Sequence, residues 1–246
     1  MLPPVSNLTA RARSIVRTAA EQRRLSRLAR AVRRRGLTYL SPRKLARIER
    51  CLDDVTRRRI PGDFVETGVA LGGSAIVIAG RLSGDRRFHG YDVFGMIPPP
   101  SEADPPEVHD RYRRIESGES EGIDGADYYG YRDHLYDDVV AAFAAHGVPV
   151  DGDRVQLHRG LFEDTLRPDR PVAFAHVDCD WHDPVAVSLE RVHPWLSPGG
   201  WLVIDDYYAY GGAAKAADAF VAEHPEVEVV DTGGDEHLLL RRRRQP

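Results

Sequence analysis

Two clusters of acidic residues follow two apolar stretches of the sequence. In FAHVDCDWHD, Asp178 and Asp180 come directly after an apolar run. In WLVIDDYY, Asp205 and Asp206 do the same. Carboxylates gathered at one point repel one another and resist ionisation unless a cation lies among them. Oxygen-only ligation suits Mg²⁺, so the sequence predicts one divalent metal held by Asp178, Asp205 and Asp206.

Helix capping is the alternative explanation for the same residues. Caps would account for one aspartate after each strand, but they do not account for the adjacent pair Asp205 and Asp206. His176 and His182 flank the first cluster, but neutral imidazole favours softer metals than Mg²⁺. The metal hypothesis is therefore favoured over the caps.

A glycine-rich turn and a further acid indicate a nucleoside ligand. The segment ETGVALGGS, residues 66–74, ends an apolar run. Its glycines allow a tight turn and a close approach of the backbone to a ligand, and the N–H groups that begin the next helix can hold an anion. Asp92 ends the following apolar run, where a carboxylate can accept hydrogen bonds from ribose hydroxyls. Asp92 alone fits a cap or a turn residue equally well.

Strands that alternate with helices from residue 62 onward predict the frame that brings these acids together. The strand-like runs are DFVETGV, RFHGYDVFG, RVQLHRG, VAFAHVDCD, GGWLVIDDYY, VEVVDT and HLLLRRR. Such alternation predicts an α/β fold with a parallel, Rossmann-like sheet covered on both faces. Ligands of such sheets bind beyond the carboxyl ends of the strands. The TGGDE turn between the last two runs predicts an antiparallel hairpin at one edge.

A basic arm precedes this acidic body. The first 50 residues contain 14 Lys/Arg and two acidic residues, whereas the whole chain carries a net charge of −4. Residues 7–35 show the periodicity of one or two amphipathic helices. Such an arm could bind nucleic acid, but no aromatic side chains are interleaved for base stacking, so packing against the acidic body or a second subunit is favoured. We expect a basic helical extension over residues 1–60 and the sheet domain over residues 61–246.

Residues 96–131 interrupt the alternation of strands and helices. This segment is rich in Pro, Gly and acidic residues and poor in apolar ones. A loop of this length inside a compact domain is either a lid or disordered. A lid is favoured, because four tyrosines provide rings with which to cover a ligand: Tyr112, Tyr128, Tyr129 and Tyr131.

Composition limits the remaining classes. The chain has 246 residues, 42% of them hydrophobic, which is enough for one sizeable α/β core. Cys51 and Cys179 are too few for a disulfide scaffold, so a reducing cytoplasm is expected. No apolar run approaches the ~18 residues of a membrane-spanning helix, and the N-terminus lacks the apolar stretch of a secretory signal. We expect a cytoplasmic homodimer with no membrane partner.

Five motifs together resemble those of the macrocin O-methyltransferase family. They are DFVETGVALGGS, GYDVFGMIP, GLFEDTL, HVDCDWHDPV and LSPGGWLVIDDY, in order and spacing, and the resemblance covers residues 38–240. The combination is specific, although each motif alone is not. The resemblance implies the class I methyltransferase fold, S-adenosylmethionine as cofactor, a divalent metal, and methylation of sugar hydroxyls on natural products.

Carried over motif by motif, the resemblance assigns Asp178, Asp205 and Asp206 to the metal. The cofactor site that it implies consists of Glu66, Thr67, Gly68, Ser74, Asp92, Leu161, Phe162, Asp164 and Asp180. Within that set, Leu161 and Phe162 are expected to flank the adenine. Asp164 would add a polar contact, and Asp180 would orient the site or contact the cofactor.

The implied reaction transfers a methyl group to a hydroxyl of a glycoside or saccharide acceptor. A metal that binds two neighbouring hydroxyls would act as a Lewis acid, and a base would take the proton. Asp178 is the first candidate for that base, followed by His134 and His182.

Three other functions are weighed against this one. In a catechol-type O-methyltransferase, the metal also binds adjacent hydroxyls. A nucleic-acid-binding protein would use the basic arm, and its binding would be sensitive to salt. A nicotinamide oxidoreductase is disfavoured, because ETGVALGG lacks the G-x-G-x-x-G spacing.

Overall fold

A seven-stranded sheet forms the centre of the structure, a computed structural model that describes residues 25–231 and 236–244. The strand order is β3-β2-β1-β4-β5-β7-β6. The strands are β1 (Asp63–Thr67), β2 (Phe88–Asp92), β3 (Val155–Arg159), β4 (Val172–Val177), β5 (Leu196–Ile204), β6 (Val227–Asp231) and β7 (Leu238–Arg242). Strands β1 to β5 are parallel, whereas β7 pairs antiparallel with both β5 and β6. The predicted α/β sheet and its antiparallel edge hairpin are confirmed.

Eight α-helices are described around this sheet. They are α1 (Arg27–Arg34), α2 (Pro42–Arg57), α3 (Gly73–Ala79), α4 (Pro106–Glu116), α5 (Leu135–Ala145), α6 (Phe162–Thr165), α7 (His182–Val192) and α8 (Gly211–Glu223). In the described ranges, none is long and apolar enough to span a membrane.

Hydrophobic residues cover the two faces of the sheet in two clusters. Phe64 and Phe174 belong to one cluster, while Val65 and Ala175, their neighbours along the strands, belong to the other. This division follows from the alternation of side chains along a strand. Because both faces are buried, the central strands read as continuous apolar runs.

The N-terminal extension contributes to the same core. The side chain of Ser41 accepts a hydrogen bond from the Lys44 N–H at 3.0 Å and so caps α2. Leu45 and Ile48 of α2 are completely buried in the cluster that contains Phe64. Helix α1 confirms the end of the helical pattern predicted over residues 7–35, and residues 1–24 lie outside the described part of the chain.

Residues 96–131 contain an α-helix, α4, in place of a continuous loop. Two adjacent prolines begin it, and proline is favourable in the first turn because its missing N–H would have no helical partner. Val108 and Ile115, seven positions apart, bury one stripe of the helix. The sequence did not predict this helix, because the segment contains few apolar residues. Its opening and closing as a lid stays a prediction.

The register places the ends of β1, β4 and β5 side by side. Thr67 lies opposite Val177, which lies opposite Ile204. The ladder continues one residue further, because the Asp178 N–H donates to the Thr67 carbonyl and the Asp205 N–H to the Val177 carbonyl, both at 2.9 Å. The chain order reverses between β1 and β4, which is where open α/β sheets bind ligands.

Gly68 permits this close approach of β1 and β4, and its replacement tests the geometry. A Cβ atom at Gly68 would lie 1.7 Å from the Asp178 carbonyl oxygen, and its φ is +88°. We expect Gly68→Ala to lower the free energy of unfolding by on the order of 3 kcal/mol or more. Gly84→Ala is the control, because φ there is +65° with no atom within 4 Å, so only the backbone cost of about 1 kcal/mol remains. Equal losses in urea denaturation would contradict the steric explanation.

Candidate functional site

Asp178, Asp205 and Asp206 converge at the carboxyl ends of β4 and β5. One carboxylate oxygen from each lies within 4.8 Å of the others. Asp205 and Asp206 are only 5% and 6% exposed. Asp178 is half-buried. Because the group offers only oxygen ligands, it fits a hard divalent cation such as Mg²⁺.

The charges of these three residues are unequally compensated. Burial, then repulsion from Asp205 and Asp206, raises the pKa of Asp178 well above its usual range. Burial, then repulsion from Asp180 and Asp205, does the same to the pKa of Asp206. Burial would also raise the pKa of Asp205, but His237 and Lys44 outweigh it and lower that pKa to about 2. A bound cation would favour the ionised form of all three.

Two cavities meet at this cluster. The first, of about 280 Å³, is lined by residues that include Lys44, Arg111, Tyr128, Asp205, Asp206 and Tyr210. The second, of about 270 Å³, is lined by residues that include Asp92, Pro98, Leu161, Phe162 and Pro184. Five residues line both: Gly68, Tyr129, Asp178, Asp180 and Trp181. A ligand in one cavity would therefore lie next to a ligand in the other.

Asp92 holds the glycine-rich turn. Its Oδ2 accepts hydrogen bonds from the N–H groups of Val69 at 2.8 Å and Ala70 at 2.9 Å, and its Oδ1 accepts one from Phe94 at 2.6 Å. Burial raises the pKa of Asp92 even though these hydrogen bonds lower it. Asp92 also lines the second cavity. The turn role that the sequence left open is therefore present, and the ribose contact stays a prediction.

The other predicted cofactor residues divide into two groups. Gly68, Ser74, Leu161, Phe162 and Asp180 line one or both cavities. The remaining three do not line either of them: Glu66, Thr67 and Asp164.

The last strand residues of β1 point into the core. Glu66 is completely buried, with its Oε1 2.7 Å from His176 Nδ1. Thr67 is also completely buried, with its hydroxyl 4.0 Å from Cys179 Sγ. Only from Gly68 onward does the chain reach the rim. Asp164 lies on the exposed side of the short helix α6.

The structure also distinguishes among the three candidates for the base. Asp178 lines both cavities. His134 is exposed at the start of α5 and lines neither cavity. His182 also lines neither cavity, and its Nδ1 lies 2.6 Å from Asp183 Oδ1. His182 is the first residue of α7, and its side chain contacts Asp183 in the same helix.

Asp180, which was predicted to orient the site or to contact the cofactor, lies where the two cavities meet. It lines both cavities, and its N–H donates to Asp206 Oδ2 at 3.1 Å. Its φ of +60° is a left-handed conformation that residues other than glycine rarely adopt. Such backbone strain persists where the surrounding structure imposes it, often at functional sites.

The sequence did not point to several residues of the first cavity. Lys44 comes from α2, and Arg111 comes from α4 in the inserted segment 96–131. Trp181 lies between the cavities, and its Nε1 donates to the Pro98 carbonyl at 3.0 Å. The sequence sets Lys44 apart in one respect, because it is one of only two lysines among the 34 Lys and Arg residues.

A family model described as Macrocin-O-methyltransferase (TylF) matches residues 5–232. The chain belongs to the macrocin O-methyltransferase family. The earlier resemblance, drawn from five motifs, is therefore confirmed over nearly the whole chain.

Several known proteins are similar over most of the chain. The 8-demethyl-8-(2,3-dimethoxy-alpha-L-rhamnosyl)-tetracenomycin-C 4'-O-methyltransferase of Streptomyces olivaceus is 34% identical over 176 residues, which is 69% of this chain and 62% of that protein. The demethyldecarbamoylnovobiocin O-methyltransferase of Streptomyces niveus is 28% identical over 76% of this chain and 68% of its own length. The structure of the O-methyltransferase NovP superposes with a TM-score of 0.69 at 25% identity, covering 85% of this chain and 83% of that one.

The two roles of Asp92 in this family member can be separated by substitution. Asp92→Asn loses one carboxylate acceptor, so we expect the free energy of unfolding to fall by on the order of 1–3 kcal/mol. If Asp92 also binds the ribose, the affinity for S-adenosylhomocysteine in calorimetry should fall by a similar amount.

Asp151→Asn is the matched control. Asp151 also accepts three backbone N–H groups, from Asp153, Arg154 and Val155, but lines neither cavity. It should lose stability and keep its affinity for the cofactor product. Unchanged affinity in Asp92→Asn would leave Asp92 with the turn role alone.

Proposed function

We propose that the chain is an S-adenosylmethionine-dependent O-methyltransferase that acts on a sugar hydroxyl of a glycosylated natural product or saccharide. The observation that carries this proposal is the meeting of two cavities at one cluster of carboxylates. Methyl transfer requires two ligands in contact, and holding both in line supplies much of the acceleration. The relatives named above are O-methyltransferases, and the name of the first specifies a rhamnosyl-tetracenomycin acceptor.

The second cavity suits the nucleoside of the cofactor. Phe162 and Leu161 form an apolar wall, and Leu161 is 45% exposed and so available to a ligand. Asp92, at the end of β2, lines the same cavity. Gly68, which lines both cavities, would let the remainder of the cofactor extend towards the first one.

The first cavity suits the acceptor. Tyr128, Tyr129 and Tyr210 line it together with Trp181. Aromatic faces bind the apolar faces of sugar rings while their polar edges remain free to hydrogen bond. Arg111 adds a hydrogen-bond donor from α4. The inserted segment therefore provides much of the proposed acceptor wall.

Asp178, Asp205 and Asp206 would hold a divalent metal, for which Mg²⁺ is the simplest choice. When bound, the metal would act as a Lewis acid towards the acceptor hydroxyl. A carboxylate that ligates a cation is a weaker base, so Asp178 is better suited to the metal than to proton removal. Asp180, which lines both cavities, would accept the hydroxyl proton.

The proposed reaction is balanced with these groups alone. The acceptor oxygen gives its proton to Asp180 and forms a bond to the methyl carbon, and the carbon–sulfur bond of the sulfonium breaks with both electrons going to sulfur. The products are the methyl ether and S-adenosylhomocysteine. Asp180 then releases its proton to solvent.

Mass spectrometry with methyl-labelled S-adenosylmethionine tests the activity. The protein should label members of a glycoside library when Mg²⁺ is present and lose this activity after chelation, and added Mg²⁺ should restore it. Catechols in the same library test the competing acceptor class. Labelling of catechols alone would reject the sugar acceptor, and full activity after chelation would reject the metal.

Substitution of Asp180 tests the proposed base. Asp180→Asn keeps the shape of the side chain but cannot accept the proton, so kcat should fall by on the order of 10²–10⁴-fold. The affinity for S-adenosylhomocysteine should change little. His134→Gln is the comparison, since His134 lies outside both cavities, and it should keep kcat within a few-fold. The opposite pattern would return the role to His134.

A further inference from the structure

Asp205 is held at both carboxylate oxygens. Its Oδ1 lies 2.6 Å from His237 Nε2, and its Oδ2 lies 2.7 Å from Lys44 Nζ. The side chain of His237 is completely buried, and that of Lys44 is 18% exposed. Two contacts of this length leave a carboxylate little freedom to rotate, so the orientation of Asp205 is set before any cation binds.

Both partners of Asp205 come from outside the strands that carry the aspartates. Lys44 lies in the first turn of α2, and His237 immediately precedes β7. The two elements are joined directly, because the Ser41 hydroxyl donates to Glu236 Oε2 at 3.0 Å. Arg47 Nη2 also lies 3.5 Å from the His237 carbonyl oxygen. Helix α2 and residues 236–237 therefore contact each other and together hold Asp205.

The ring of His237 is suited to donate a hydrogen bond while it remains neutral. Its Nδ1 is buried without a hydrogen-bond partner in the described part of the chain, which fits a neutral imidazole with its proton on Nε2. His176 packs edge-on against this ring at a centroid distance of 5.7 Å, and Glu66 fixes His176 at 2.7 Å. His176, itself fixed by Glu66, thus helps to hold the His237 ring in place.

We propose that His237 and Lys44 are positioning residues that fix Asp205 as a preformed ligand of the divalent cation. The inference rests on the metal site of the proposed function and adds to it residues from α2 and the start of β7. Three ionised carboxylates and the Lys44 ammonium carry a net charge of −2, which a divalent cation neutralises. Groups that orient metal ligands in this way typically change metal affinity 10–100-fold when they are removed.

His237 is the better residue to substitute, because removing Lys44 would change the charge of the site as well as its geometry. His237→Leu retains a buried side chain of similar volume but has no donor. His237→Gln places an amide N–H at a similar reach to Nε2. His237→Asn ends one methylene short of Asp205 and repeats the test should the Leu variant not fold.

The affinity for Mn²⁺, measured by calorimetry and by electron paramagnetic resonance, is the readout, so methyl transfer is not needed. We expect His237→Leu to weaken Mn²⁺ binding 10–100-fold and His237→Gln to restore most of it. Affinity for S-adenosylhomocysteine should stay the same in both variants, because His237 lines neither cavity. A general loss of structure would reduce both affinities together.

Three outcomes would overturn the inference. Wild-type Mn²⁺ affinity in His237→Leu, with Asp206→Asn losing it, would remove the positioning role and leave the proposed metal site intact. Equal weakening in the Leu and Gln variants would show that the donor is unimportant. Absence of Mn²⁺ binding by the wild-type protein would reject the metal of the proposed function and this inference with it.

Discussion

Repulsion among carboxylates at the ends of two adjoining strands is the constraint on which this molecule depends. A parallel sheet brings the carboxyl ends of β4 and β5 together, so acids that follow each strand must meet. Burial increases the difficulty, because it removes the water that would otherwise screen them. The elements around the rim are arranged so that these charges can be tolerated: hydrogen bonds compensate some of them, and the proposed cation would compensate the rest.

Close backbone packing and hydrogen bonds hold the chain around this rim. Gly68 lets the Asp178 carbonyl approach the end of β1, where any side chain would collide. Asp92 then holds the following turn through two of its backbone N–H groups, those of Val69 and Ala70. Asp92 was predicted to bind the cofactor, and it supports the turn that is proposed to contact the cofactor. A single buried carboxylate can serve both purposes, because each oxygen has two lone pairs.

The two cavities differ in the part of the chain that builds them. The second is lined chiefly by the strand ends and the turns that follow them, including Asp92, Leu161 and Phe162. The first takes Lys44 from α2 and Arg111 from α4, which belong to the N-terminal extension and to the inserted segment. Variation in the N-terminal extension can therefore alter the proposed acceptor site without changing the second cavity. Variation in the inserted segment would affect both cavities, because Pro98 and Tyr129 line the second one.

The sequence by itself determined the seven strands, the antiparallel edge hairpin, and the convergence of Asp178, Asp205 and Asp206, because hydrophobic periodicity is a local property and parallel strands all end at the same edge of their sheet. The five motifs together also identified the family. Only the tertiary structure decided that Glu66 turns inwards to His176, that His134 lines neither cavity, and that Lys44 and His237 hold Asp205. Those relations join residues up to 161 positions apart through packing, and no spacing in the sequence encodes which distant side chain will fill a given contact.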